Sequence, residues 1–285
     1  MATDIAPALE APETGTFVHT APRPIPLRRA WSWLWPKLAA ITLVLATWQA
    51  VVWSGWRPDY VLPGPWPVLS RLAQDLGQHD FYVGVAITMR RAFIGYAIAV
   101  ALGSLLGLLV ARVKVLRKAF GSAILGLQSM PSIAWFPLAI LLFQLSEGAI
   151  LFVVILGAAP AIAGGLLTGV DHVQPLLVRV GRVMGARGLR LYRYVILPAA
   201  LPGFVGGLKQ GWAFAWRSLM AGELIVIVGH QPSLGQRLQF ARDLSDAEQM
   251  LALMIVIFVV GVAIDAVFGV VDRSIRGRWG LLPRD

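Results

Sequence analysis

No cysteine occurs in the 285 residues of this chain, which excludes disulfides, thiolate metal sites and a cysteine nucleophile. The four histidines fall in no H-x-x-H or H-E-x-x-H spacing, so no histidine metal motif is present. There is no G-x4-G-K-[ST] phosphate loop, and no G-x-S-x-G nucleophile turn. Charge is short as well: 14% of residues are charged, against roughly a quarter in an ordinary soluble domain. A constellation of His, Asp, Glu or Ser at one depth is also lacking, which weighs against a membrane-embedded enzyme.

What is abundant is apolar sequence, 57% of the chain. Uncharged runs cover 38–56, 92–111, 119–146 and 148–170, each near or above the ~18 to 20 residues that cross a hydrocarbon core. Two further spans are interrupted, near 203–228 by Lys209, Arg217 and Glu223, and near 249–271 by Asp265. The reading is an all-α polytopic membrane protein with about six transmembrane helices, because backbone amides in lipid need internal partners and the alternation of a β-barrel is missing.

The net charge of +10 raises the question of nucleic acid. Its distribution answers no. With both termini cytoplasmic, Arg23, Arg28, Arg29 and Lys37, the 112–118 loop, the 179–193 cluster and Arg273, Arg276, Arg278 and Arg284 share the inner side. Arg57, Arg71, Arg237 and Arg242 fall outside, the asymmetry of the positive-inside rule. Arg28-Arg29 also fits a twin-arginine export pattern, but cations beside an uncleaved anchor account for it.

Along the chain, residues 1–30 read as a cytoplasmic tail and 31–80 as a first span and outside segment. Trp31, Trp33 and Trp35 flank that span on one side, and Trp53, Trp56, Tyr60 and Trp66 on the other, as interfacial belts. Residues 81–273 form the main bundle and 274–285 a cytoplasmic tail. Gly103 with Gly107, Gly165 with Gly169, and Gly203, Gly207 and Gly211 recur at four-residue intervals, the spacing for close helix packing within one chain. Pro131, Pro137 and Pro160 should kink or break spans three and four. Leu234, Leu238, Ala241 and Leu244 suggest an amphipathic helix lying on the outer interface.

The stretch RVMGARGLRLYRYVILPAALPG, residues 182–203, puts Arg182, Arg187, Arg190 and Arg193, with Arg179 upstream, between two apolar runs. Residues 186–197 pattern as a short helix with Leu189, Tyr192 and Ile196 on one face, entered through Gly181, Gly185 and Gly188 and stopped by Pro198. Two readings fit: a helix floating on anionic head groups, or a knob inserted into a soluble partner.

Gly185, nine residues, then Val195-Ile196-Leu197-Pro198 match the second half of the loop signature E-A-A-x3-G-x9-I-x-L-P. In this the chain resembles the permeases of binding-protein-dependent ABC importers. The stretches ALPGFVGGLKQGWAFAWRSLMAGELI and MPSIAWFPLAILLFQLSEG resemble the nitrate, sulfonate, taurine and bicarbonate branch. The resemblance implies a type I importer-like bundle working as a homodimer in the inner membrane. It implies two copies of an ATPase docked on a coupling loop, 171–202, and an extracytoplasmic solute-binding protein. ATP and Mg would sit on the ATPase, with no cofactor in this chain. Arg179-Val180-Gly181 replaces the usual E-A-A, so the acidic contact of that Glu cannot form.

The ionisable residues within spans are costly by about 2.5 to 3.5 kcal/mol each, which marks them as pathway residues or buried pairs. One reading has Lys209, Arg217 and one of Arg90 and Arg91 making an electropositive path for a small anion, shaped by Trp212 and Trp216. The other has a structural network that includes Glu223. A secondary transporter or channel working without an ATPase is the rival function.

Overall fold

The computed structural model describes residues 26–229 and 232–278, and every regular element among them is helical. The chain divides into two units, one up to Ser54 and one from Gly55 onward. The described part of the first unit is α1, Pro26–Trp53, which begins with a proline where no backbone donor is needed and continues through Pro36. It starts within the expected 1–30 tail, of which residues 1–25 lie outside the described residues. Its Trp31, Trp35 and Trp53 are exposed.

The second unit carries α2 (Pro65–Leu76), α3 (His79–Arg112), α4 (Lys114–Ser129), α5 (Phe136–Phe143), α6 (Glu147–Asp171), α7 (Pro175–Val183), α8 (Leu189–Leu191), α9 (Leu197–Ile225), α10 (Leu234–Asp243) and α11 (Ala247–Arg278). Five helical stretches in the described chain are long and apolar enough to cross a membrane. The sixth expected span, 119–146, is a bent pair, turning by 104° between α4 and the segment Ser132–Phe143. The break falls at Met130 and Pro131, which have extended ψ angles of 127°. Proline excludes the helical conformation from the residue before it, and a 3-10 turn, Ser132–Trp135, restarts the chain. Pro137 sits in the first turn of α5, and α6 runs on through Pro160. Proline position thus separates a break from a tolerated interruption.

The core of this unit is α6, with α3 on one side and α9 on the other. Val153, Val154, Ala158 and Ile162 of α6 pack with Ala92 and Ala99 of α3 and with Trp212, Ala215 and Leu219 of α9. Against α9 the contact is backbone on backbone. A Cβ added at Gly165 would lie 2.3 Å from the Gly207 Cα, and one at Gly203 would lie 2.5 Å from the Gly169 Cα. Lipid tails are as apolar as the helices, so only such close approach makes helix contact more favourable than lipid contact. Gly103 and Gly107 of α3 meet Ala159 and Ala163 of α6 in the same manner.

Two local expectations differ from the structure. Pro198 does not stop a helix: the helical path runs from Leu189 to Ile225, with Pro198 in the first turn of α9. Tyr192–Ile196 forms a π-helical turn, and the Leu197 amide reaches back to the Tyr192 carbonyl. The wider turn makes room for the proline ring, which in a regular helix would press on the carbonyl four residues earlier. It also rotates the faces, so Leu191 and Ile196 are buried while Leu189 is exposed. The second difference is at α10, whose Leu234 and Ala241 pack with Phe81, Leu253 and Val256, while Leu244, expected on the same face, lies just past the helix and is exposed. Finally, α11 continues to Arg278, past the expected boundary at 273.

Replacing Gly207 by Leu is expected to destabilise the bundle by about 1 to 3 kcal/mol or more through overpacking at the α6–α9 seam. Thermal unfolding of the detergent-solubilised protein reads this; an unchanged midpoint would contradict the seam.

Candidate functional site

Three features combine at the site: a buried charge network, a pair of cavities meeting at one arginine, and an arginine-rich segment at one end of the bundle. They share α9.

The network begins at Glu223, whose side chain is fully buried. Its Oε1 accepts from Arg91 Nη1 of α3 at 3.1 Å, while its Oε2 accepts from Thr88 Oγ1 at 2.9 Å and from the Gly235 amide at 3.0 Å. Thr88 Oγ1 in turn accepts from the Leu234 amide at 3.0 Å. Two amides at the start of α10, which have no partner within their own helix, are satisfied in this way. A Cβ at Gly235 would lie 2.4 Å from Glu223 Cβ, so α10 can approach this carboxylate only with glycine there. The far side of the Arg91 guanidinium donates from Nε and Nη2 to Glu147 Oε1, at 3.1 and 3.0 Å, and Arg90 Nη2 joins the same oxygen at 3.1 Å. A buried ion pair offsets its desolvation only when its remaining donors and lone pairs are occupied, and here they are.

Arg90, Arg91 and Glu223 are therefore engaged with carboxylate or donor partners. Lys209 is also paired, with Asp265 of α11 at 3.3 Å, both side chains being about half exposed. Trp212 is buried in the core beside Tyr96, Trp216 and Phe268. Arg217 differs: among the described residues no carboxylate lies within ion-pair distance, and its guanidinium sits 5.8 Å from the Phe214 ring centroid. It is exposed and borders two cavities. One, of about 670 Å³, lies between α9 and α11 and is lined mainly by Trp216, Met220, Met254 and Phe258, with Asp265, the partner of Lys209, at its edge. The other, of about 350 Å³, is formed at the α4–α5 break and lined by Gln128, Ser129, Ser132 and Trp135. A cation between an apolar cleft and a hydroxyl- and amide-lined one offers an anion both charge and hydrogen-bond donors.

At the arginine-bearing end, α7 folds back on the π turn through Gly181, where a Cβ would meet Val195 and Leu191 side chains at 2.8 and 3.1 Å. Gly185 and Gly188, at φ of 87° and 53°, make the reversal between α7 and α8. Arg179, Arg182, Arg187, Arg190 and Arg193 are all exposed. The carboxylates nearby are taken elsewhere: Asp171 pairs with Arg117 and Asp272 with Arg276.

Of the sequence candidates, Arg91 and Glu223 are brought together, and Arg90 joins them through Glu147. Arg217 is exposed on α9 and Lys209 half-buried, while Trp212 is buried and Trp216 stacks on it, half-buried against α11. Thr88, Glu147 and Gly235 were missed by sequence reasoning. The signal for Glu147 was its place opposite two span arginines that need a carboxylate; Thr88 and Gly235 carried none, because their roles depend on the packing of α3 and α10.

A helical membrane bundle with paired intramembrane charges, a broken span and a folded-back arginine segment defines the transmembrane subunit of a transporter. The family model described as "Binding-protein-dependent transport system inner membrane component" matches residues 99–277, and the chain belongs to that family. It is an ABC importer permease, an integral protein of the inner membrane. It is 26% identical to a putative aliphatic sulfonates transport permease protein of Bacillus subtilis, over 95% of this chain and 98% of that one. To the taurine transport system permease protein of Escherichia coli it is 26% identical, over 81% and 88%. To the nitrate import permease protein of Synechocystis it is 27% identical, over 66% and 70%. The fold is similar to the inward-facing methionine ABC transporter MetNI, at a TM-score of 0.58 and 20% identity, covering 67% of this chain and 94% of that one.

Substituting Arg91 by Met leaves the buried Glu223 carboxylate without its cation and is expected to cost about 3 to 5 kcal/mol, whereas Glu223→Gln, after which Arg91 keeps Glu147, is expected to cost less. The double variant carrying Arg91→Met and Glu223→Gln should be less destabilised than the sum of the two single changes. Thermal unfolding across the double-mutant cycle checks both statements, and strict additivity would argue against direct coupling.

Proposed function

We propose that this permease forms the path for a small anion such as an aliphatic sulfonate, taurine, nitrate or bicarbonate, in an importer driven by ATP. Two copies of the chain make the bundle, two ATPase subunits dock on the 171–202 loop, and a solute-binding protein delivers substrate on the opposite side. ATP and Mg belong to the ATPase, and both termini of the permease are cytoplasmic.

The observation that carries the anion reading is Arg217, a cation within a span, exposed to two cavities and without a carboxylate partner among the described residues. Holding an uncompensated cation there is costly, and an anion passing through repays part of that cost. The relatives are named for sulfonates, taurine and nitrate, molecules that each carry a negatively charged group, which supports the same chemistry. Lys209, Trp212 and Trp216 lie along the same helix, and Arg90, Arg91 and Glu223 hold the helices that frame it.

In the mechanism, force applied to α7 passes into α9 without a flexible joint. The Gly181 contact seats α7 on the π turn, and the helix continues from Leu189 to Ile225 past Arg217. ATP-driven motion of the docked subunits would move the arginine relative to α4 and α5, whose break forms the neighbouring cavity wall. The Arg91–Glu223 network ties the far end of α9 to α3 and α10, so the displacement is referred to a fixed point.

Arg217→Gln is expected to lower ATP-dependent uptake of anions by about tenfold, equivalent to about 1.4 kcal/mol, with the ATPase still bound. Uptake into vesicles containing permease, ATPase and binding protein measures it. Unchanged uptake would refute the anion role of Arg217; uptake at full rate by the permease alone would instead favour a secondary transporter or channel.

A further inference from the structure

We infer that the cavity between α9 and α11 is a binding site of the permease itself for sulfonates that carry a short alkyl tail. The inference rests on the anion path proposed above and narrows its substrate class.

The cavity lies between two stripes of side chains. Trp216, Arg217 and Met220 of α9, and Met254, Ile257 and Phe258 of α11, recur at three- and four-residue steps and so share one face of each helix. Gly261 continues the stripe on α11: a Cβ there would lie 2.8 Å from Trp216 Nε1, so glycine lets the indole lie against that helix.

Two polar groups on this wall lack a partner. Arg217 has no carboxylate within ion-pair distance among the described residues. Trp212 is 2% exposed and borders the cavity, yet its buried indole Nε1 finds no acceptor among them. Phe268 stacks on its ring and Tyr96 meets it edge-on, so the donor is held in place before any ligand arrives. A buried donor without an acceptor and a cation without a counter-charge are both costly in a membrane, and hydrocarbon filling the cavity would relieve neither. A sulfonate relieves both, because its charge is spread over three oxygens that accept hydrogen bonds from different directions.

The rest of the wall selects the tail. Met220, Met254, Ile257 and Phe258 offer no polar atom beyond thioether sulfur, a weak acceptor. Asp265, at the edge, lies 3.3 Å from Lys209 and is already answered. An ammonium at the end of the tail would therefore exchange water for apolar walls. A volume of about 670 Å³ falls in the range of sites for organic ligands, far beyond what nitrate or bicarbonate fills. The two methionines adapt to tails of different length.

The test uses the assembled permease and ATPase in detergent without the solute-binding protein, with radiolabelled butane-1-sulfonate as probe and equilibrium dialysis as readout. Competition by methane-, ethane- and propanesulfonate is expected to strengthen about threefold to fourfold per methylene, with nitrate and bicarbonate at least about tenfold weaker than butanesulfonate. Trp212→Phe keeps a ring but removes the donor, and should weaken every sulfonate by a similar factor of about tenfold. Met254→Ser should instead flatten the dependence on tail length. If Trp212→Phe lowers the unfolding midpoint, Met254→Ser, at a half-exposed position, carries the test alone. Affinity independent of tail length, or nitrate competing as well as butanesulfonate, overturns the inference and leaves the anion path standing. Taurine binding tighter than ethanesulfonate overturns it in favour of an ammonium at Asp265. Displacement of the probe in proportion to added phosphatidylglycerol overturns it by making the cavity a lipid site, and so does the absence of any sulfonate binding to the wild type. If Arg217→Gln leaves uptake of every anion unchanged, the anion path itself falls and takes this inference with it.

Discussion

Glycine against glycine, where α6 meets α9, is the contact on which the rest depends. A Cβ at Gly165 would lie 2.3 Å from the Gly207 backbone, so any larger residue drives these helices apart. Lipid supplies no hydrophobic force between helices, and dispersion falls away steeply once side chains open a gap. This close approach fixes the axis of α9. On α9 stand Lys209, Trp212, Trp216, Arg217 and Glu223, and its first turn carries Pro198. The orientation of each follows from one packed seam.

The helical path through α9 is also long. Thirty-seven residues from Leu189 to Ile225 span about 55 Å at 1.5 Å per residue. A π turn at its start accommodates Pro198 without a break, so one continuous helical path joins Arg190 and Arg193 to the buried carboxylate. At the far end, Glu223 supplies acceptors to α3 and α10 together, which makes a single carboxylate the junction of three helices.

The charges show how far the sequence could be read. Lys209, Arg217, Glu223 and Asp265 were recognisable as costly residues within apolar runs, because an ionisable group in a span violates the composition around it. Their partners were not. Arg91 and Glu223 are 132 residues apart, and nothing in local spacing relates them. Glu147 looked like part of a short turn, yet it takes both Arg90 and Arg91. The same limit applied to Pro198: proline chemistry allows either a helix stop or a first-turn residue, and the π turn before it determined which.

By itself the sequence determined that the chain crosses the membrane as helices, that its glycines allow close packing, and that most of its basic residues fall between and beyond the apolar runs. These are properties of composition and of one-dimensional period, set by the lipid's refusal of unsatisfied backbone and charge. Tertiary structure alone decided that the run at 119–146 bends, that α10 packs inward, and that Arg217 has no carboxylate partner among the described residues while Lys209 and Glu223 on the same helix are paired. The physical reason is that an ion pair or a cavity is defined by distance in space, and residues from four helices meet at this site only after the α6–α9 seam has closed.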